Sequence, residues 1–478
     1  LLSNIIYETY LSYRTNGTFL RLLRIHRKLE GEIRLKKRMI CVLGVFIVCA
    51  VMLFISNIPA YGEPESLQED SYTMDPLGID ENVEEIEEGE FRAAWVTTVY
   101  NLDWPSKKGL SKEEQQKEFT TLLDQLQEVG LNAVIVQVKP TADSFYPSEY
   151  GPWSEYLTGI QGKDPAYDPL AFMIEATHQR NMEFHAWFNP FRVSVQGDIN
   201  ALAKTHPARI NPTWVVPYRG QLYYNPGMPE VRSFVRDSIM EVVEKYPVDG
   251  VHLDDYFYPY PAKDLDFPDD ALYKISKRYP METKEEWRRS NVNEFIQDLY
   301  TSIKNENMQV KFGVSPFAIW RNQSDDPLGS ATRGGVTSYD GLYADTKLWV
   351  EEGWLDYIAP QIYWYFGYGP AAYEIVLHWW SNLVQDRDIH LYVGHAAYKA
   401  QPEETPWGNP YEILNQIDYN RNAGNAQGSI FFRAQSIVSN PLNLGHLLKT
   451  TVYKDAVSVP EMPWLQRPEE LLEEVMEY

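Results

Sequence analysis

From Phe91 onward the chain alternates between short, compact apolar runs and longer stretches with apolar residues at helical spacing. The runs are Ala93–Val99, Ala133–Val138, Glu183–Phe188, Gly250–Asp254, Val310–Ser315, Tyr357–Ile362, His390–Gly394 and Ser429–Phe432. Each has the length and continuity of a strand buried on both faces. Between them lie amphipathic segments such as Lys112–Val129, where Phe119, Leu122, Leu123 and Leu126 share one helical face. Pro229–Lys245, Val292–Asn305 and Tyr411–Asn422 follow the same pattern. Strand and helix alternating eight times predict an α/β fold, a (β/α)8 TIM barrel over residues 91–465, with long loops after strands two, three and four. No internal repeat is visible, and residues 466–478 form only a short C-terminal tail.

The first ninety residues follow other rules. Nine basic residues precede an uncharged apolar run from Met39 to Ile55, which ends at Ala60-Tyr61-Gly62. Basic flank, apolar stretch and small-residue ending predict a signal peptide over 35–62, with an uncleaved membrane anchor as the alternative. Glu30-Gly31-Glu32 ahead of Leu35 is what a purine-rich ribosome-binding site and a TTG start codon would encode. Residues 1–34 are therefore expected to be an upstream extension. Residues 63–90 hold twelve acidic residues and no Lys or Arg, the composition of a self-repelling, disordered linker.

Charge narrows the partners. The net charge is −24, and removing the basic leader takes it to about −30, which disfavours nucleic acid. The only cysteines, Cys41 and Cys49, lie in the leader, so neither a disulfide scaffold nor a cysteine-ligated zinc site is expected. No cofactor is implied. Aromatic residues make up 14% of the chain, an excess that calls for a role.

Barrel enzymes place their chemistry at the C-terminal strand ends. Here those ends mix hydrogen-bonding groups with aromatic rings: Lys139; His185, Trp187, Asn189 and Arg192; His252, Asp254, Asp255 and Tyr256; Trp320 and Arg321; Gln361, Tyr363 and Trp364; His395; and Arg433. Aromatic platforms beside polar side chains suit a sugar, with its apolar C–H faces and rim of hydroxyls. Asp254 is the sharpest candidate. With a period of two it shares a face with His252, opposite Val251, Leu253 and Asp255. Glycoside cleavage needs two carboxyls, one to protonate the leaving oxygen and one as nucleophile or base. Strands five, seven and eight end without Asp or Glu, so the partner is Asp255 or a loop carboxylate: Asp143, Asp103 or Asp345.

The segments FRAAWVTTVYNLDWPS, LNAVIVQVKPTADSFYPSEYGPWSEYLTG, HAWFNPFRV, DGVHLDDYFYP, FGVSPFAIWRN and WLDYIAPQIYW resemble the bacterial glycosyl-hydrolase-like family 10 from Phe91 to Trp464. The resemblance implies a TIM barrel, export to the cell envelope, and hydrolysis of cell-wall (peptidoglycan) glycan. Members are often lipoproteins, but neither cysteine here sits in a lipid-attachment context. The strand-four motif is also similar to the α-amylase clan, whose nucleophilic Asp follows a basic residue two positions earlier. Here His252 takes that place, and strand five lacks the clan's acidic Glu, so the acid is unassigned. Two other readings stand beside hydrolysis. One is a glycan-binding barrel without catalysis. The other is a metal-dependent hydrolase using His185, His252, Asp254 and His395, which lacks the usual strand-one His-x-His pair.

Overall fold

The computed structural model describes residues 89–422 and 425–465. The segments read as upstream extension, signal and tail lie outside these residues, as does the acidic linker up to residue 88. Gly89 and Glu90 already belong to the barrel: the Glu90 carboxylate bridges Arg92 and Arg421, each at 2.7 Å. Among the described residues no helix is long and apolar enough to cross a membrane.

Eight parallel strands close into one barrel. In spatial order they are β1 (Phe91–Val96), β2 (Ala133–Lys139), β3 (Glu183–Phe188), β7 (Gly250–Leu253), β8 (Lys311–Val314), β9 (Tyr357–Ile358), β10 (His390–His395) and β11 (Gly428–Phe431), which pairs back onto β1. The three missing numbers are an insertion that the apolar pattern does not predict. β4 (Arg192–Ser194), β5 (Val215–Tyr218) and β6 (Gln221–Tyr224) form a separate antiparallel sheet in the loop after β3. Its hairpin turns at Arg219-Gly220, both at positive φ (49° and 73°), the pairing that a tight two-residue turn requires.

The helices form for local reasons. Lys112–Val129 begins with a capping box between Ser111 and Glu114 and buries Phe119, Leu122, Leu123 and Leu126 against the barrel. It stops at Gly130, whose φ of 102° suits glycine alone. Lys284–Glu306 opens with the same device, Thr283 with Glu286. Its buried Arg288 then grips the long loop after β7 through Asp269 at 2.6 Å and Asp266 at 2.9 Å.

Two faces of each strand have different fates. Val134, Val136, Val251, Leu253, Leu391 and Val393 point outward to the helices. Phe91, Ala93, Trp95, Ala133, Ile135, Trp187, Tyr357, Ala359, Tyr392 and Ile430 fill the interior. Two glycines make room for the large inner rings. A Cβ on Gly250 would lie 2.5 Å from the His185 ring, and one on Gly313 would lie 2.1 Å from the Tyr357 ring. The interior is thus a packed core whose upper layer forms the floor of the mouth.

Candidate active site

The mouth is built outward from the end of β1. The backbone N–H groups of Thr98 and Val99 donate to Oε1 of Gln137 on β2, at 3.1 and 3.0 Å. That leaves the Gln137 amide nitrogen to donate to Oδ1 of Asn189 at 2.5 Å, and Arg192 donates to the same oxygen at 3.0 Å. With its carbonyl so occupied, Asn189 turns its Nδ2 to Asp254 and donates to Oδ2 at 2.5 Å. The other oxygen of Asp254 accepts the backbone N–H of Asp255 at 2.9 Å. A chain of amides running from β1 through β2 and β3 therefore sets the orientation of one carboxylate at the end of β7.

Asp255 is buried, its carboxyl accepting the hydroxyl of Tyr260. Burial first, and then the adjacent charge of Asp254, push Asp255 well above the usual carboxylate range.

Aromatic rings line the rim. Tyr256, whose hydroxyl accepts from Arg192, faces Tyr260 at 6.0 Å between ring centres. Tyr260, Phe317 and Trp364 continue edge to face at 6.4 and 5.8 Å. Across the mouth, Tyr363, Tyr398 and Phe432 form a second group with centre distances of 5.9 to 6.1 Å, and Phe432 rests on Trp95. Gln361, half-buried, is braced on the Ser315 carbonyl at 2.9 Å.

Beneath Asp254 runs a buried polar line. The Trp95 indole can only donate, and it points at Nε2 of His252 from 3.1 Å, so that nitrogen carries a lone pair. Ser315 Oγ shares it at 2.8 Å. The proton of His252 is therefore on Nδ1, donated to the Tyr357 oxygen at 3.0 Å. Tyr357 in turn donates to Nδ1 of His185 at 2.9 Å, and His185 Nε2 donates to Glu183 at 3.0 Å. Burial lowers His252 well below its ordinary value, which keeps it neutral. Burial alone would raise Glu183, but the hydrogen bond from His185 and the charge of Lys311 bring it down to about 2.

Asp254, Asp255, Asn189, Arg192, Tyr256, Gln361, Tyr363 and Trp364 gather at or around the mouth, with His252, His185 and Trp187 in the floor. The Trp187 indole N–H is buried without a hydrogen-bond partner. Other candidates are placed elsewhere. A bulge between Gln137 and Lys139 turns Lys139 out of the mouth; its ammonium meets Ser144 Oγ at 3.0 Å, and burial lowers it to about 8. His395 points outward, bonded to Gln416 and Ser429 at 3.0 Å. Arg433 pairs with Asp103 at 2.8 Å, which also accepts the Thr97 and Gln435 N–H groups. Asp143 is buried between Thr141 and Gln161, at 2.8 and 2.9 Å. Asp345 caps the helix Thr346–Glu351 and accepts the Trp320 indole at 2.9 Å, while Trp320 stacks on Trp379. Arg321 is paired with Asp326 and Asp340, each at 3.0 Å. Among the described residues no group of three or more His, Cys, Asp or Glu is arranged to hold a metal ion, and the outward turn of His395 is why the histidines do not converge.

Gln137 and Tyr260 were not among the residues the sequence singled out. Gln137 follows Ile135 on the inner face by simple alternation, a signal available in the sequence. Tyr260 sits in a loop and had none.

The model of the family described as glycosyl hydrolase-like 10 matches residues 90–409. The chain belongs to this family. It is 53% identical over 378 residues to glycosyl hydrolase YngK of Bacillus subtilis, covering 79% of this chain and 74% of that one. Glycosyl hydrolase DigH of Escherichia coli K12 is 40% identical over 367 residues, covering 72% and 82%. Among solved structures, the PgaB (BpsB) glycoside hydrolase domain of Bordetella bronchiseptica covers 78% of this chain and all of that domain, with a TM-score of 0.50. At 12% identity that likeness speaks for the fold alone.

Proposed function

We propose that this chain is an exported glycoside hydrolase that cleaves glycosidic bonds in cell-wall (peptidoglycan) glycan strands, with Asp254 and Asp255 performing the chemistry. The observation that supports it best is the oriented carboxyl pair at the end of β7, set in a mouth ringed by aromatic side chains. Such a mouth offers ring faces for sugar C–H surfaces, and Arg192, Asn189 and Gln361 for hydroxyls. Export follows from the leader's charge and hydropathy pattern, and the cell-wall substrate from the family resemblance. Eleven of the negative charges fall in residues 63–88, ahead of the barrel in the sequence, so the net charge does not bar an anionic polymer from the mouth.

A glycan-binding barrel without catalysis is the second reading, favoured by β8, which is followed by Ser315-Pro316-Phe317 with no carboxylate. Incubating the purified protein with peptide-free glycan strands and following products by mass spectrometry separates the two. Hydrolysis predicts defined saccharides that vanish in Asp254→Asn. Intact strands that co-sediment with the protein would leave the binding reading in place.

A further inference from the structure

Tyr100, just past the end of β1, has an unusual backbone. It sits at φ 58° and ψ 14°, and Asn101 follows at φ 53°. Asparagine tolerates this left-handed region, but a bulky aromatic residue is rarely found there and adopts it only at a cost in free energy. The turn is held firmly on both sides. The N–H groups of Thr98 and Val99 donate to Gln137 Oε1 at 3.1 and 3.0 Å. The Asn101 amide donates to the carbonyls of Pro105 and Tyr156 at 2.9 and 3.0 Å. None of these bonds uses the Tyr100 side chain, so a residue better suited to the conformation would keep them all.

What the tyrosine adds is a ring in solvent. It is 58% exposed, whereas Tyr256, Tyr260, Phe317 and Trp364 on the rim are half-buried against one another. It meets Tyr156 edge to face, with ring centres 6.3 Å apart. We propose that Tyr100 is a remote sugar platform: its open face stacks on a glycan ring away from the bond at Asp254, and the left-handed turn serves to present it. The inference rests on the glycan reading above and adds to it a subsite and its residue.

The barrel sets how remote that subsite is. From β1 to β7 the wall passes through β2 and β3, three steps among eight. At about 4.8 Å per step, that is farther than one sugar ring reaches. A glycan that touches both Tyr100 and Asp254 therefore crosses the mouth and is several rings long. The two ends of this path share one frame. Gln137, which holds the turn through its carbonyl, holds Asn189 through its amide nitrogen at 2.5 Å, and Asn189 holds Asp254 at 2.5 Å. A ring seated on Tyr100 is thus fixed in register with the carboxylate. Stacking there is made equally in the bound and reacting states, so it acts on affinity and on KM, leaving kcat little changed.

The test uses the full chain and saccharides of graded length, from disaccharide to octasaccharide, cut from peptide-free wall glycan. Affinities are read by calorimetry in an Asp254→Asn background, where turnover does not consume the ligand. Adding Tyr100→Asn should weaken the longest saccharides about tenfold, the size of a lost stacking contact, and change the shortest one that binds by less than about twofold. Tyr100→Phe should keep the native affinity at every length. In the active chain, KM for long saccharides should rise by the same factor. The urea midpoint of Tyr100→Asn should hold or rise, because asparagine relieves the turn. Unchanged affinity for long saccharides, an equal loss at every length, or a lower midpoint with binding intact would overturn the inference while leaving the hydrolase reading untouched. Length-dependent binding through Tyr100 with no cleavage by the native chain would uphold the platform and overturn hydrolysis. Neither binding nor cleavage of any glycan would sink both.

Discussion

The indole N–H of Trp95 on β1 points at Nε2 of His252 on β7 from 3.1 Å. Because an indole cannot accept, this one contact dictates the direction of every hydrogen bond down to Glu183. His252 is thereby a neutral acceptor beneath the carboxyl pair, unable to give a proton upward from Nε2. Nitrogen NMR of the folded protein should show His252 protonated on Nδ1 and bare on Nε2. Trp95→Phe should cost about 1 kcal/mol from the lost hydrogen bond, with a further packing cost. A proton found on Nε2 in the native protein would reverse the whole line.

Asn189 has one task that its surroundings make specific. Gln137 and Arg192 occupy its oxygen, so only its nitrogen is left for Asp254. Asn189→Ala should lower kcat about a hundredfold on the hydrolysed glycan, with KM little changed, since a preorganised donor acts mainly on the reacting state. Asn189→Asp should be at least as damaging, because a second carboxylate would face Asp254 without an N–H. A drop confined to KM would instead make Asn189 a binding group.

Arg433 and Asp103 are joined across the seam where β11 closes onto β1, 330 residues apart in the chain. Asp103 is buried and Arg433 half-buried, and burial raises Asp103 despite the nearby guanidinium. Removing one partner of such a pair costs about 3 kcal/mol or more, as it strands the other. Arg433→Ala should therefore lower the denaturant midpoint while leaving kcat/KM within about threefold at a temperature where the variant is folded. Large loss of activity in a stable variant would return Arg433 to the substrate-binding role that its strand-end position suggests.

What the sequence made legible follows from distance along the chain. The eight barrel strands were visible because each must be apolar on both faces, and that demand is local. The Asp254-Asp255 step was visible because it follows such a run immediately. The β4–β6 sheet was not: its strands are three or four residues long and β5 contains Pro217. Lys139 sits at a strand end like Asn189, yet one bulge reverses its face. Nothing local announces that bulge. Asp103 looked like a loop carboxylate free for chemistry because its partner lies at the other end of the barrel. His395 is the exception. Gly394 faces inward against Trp95, so alternation alone would have sent His395 outward.

That outward histidine makes a prediction about acid. His395 is fully buried, and burial lowers it to about 4 although Gln416 offers it a hydrogen bond. A histidine depressed in the native state is neutral there while its unfolded counterpart, with a pKa of about 6.5, takes up a proton. Below pH 6.5 the unfolded chain binds more protons, so this residue's contribution to stability is complete above 6.5 and is lost as the pH falls toward 4. Between pH 7 and 4.5 the loss is about 2–3 kcal/mol, at roughly 1.4 kcal/mol per pH unit below 6.5. His206 and His390, lowered to about 3 and 4 by burial, act in the same direction. Asp255 acts against them, since a raised carboxyl favours the fold at lower pH. The clean measurement is therefore a difference. Urea midpoints of the native protein and of His395→Gln, taken at pH 7 and at 4.5, should show the variant losing about 2–3 kcal/mol less on acidification, whatever its stability at neutral pH. Equal losses in the two proteins would mean that His395 binds a proton in the folded barrel as readily as in the unfolded chain.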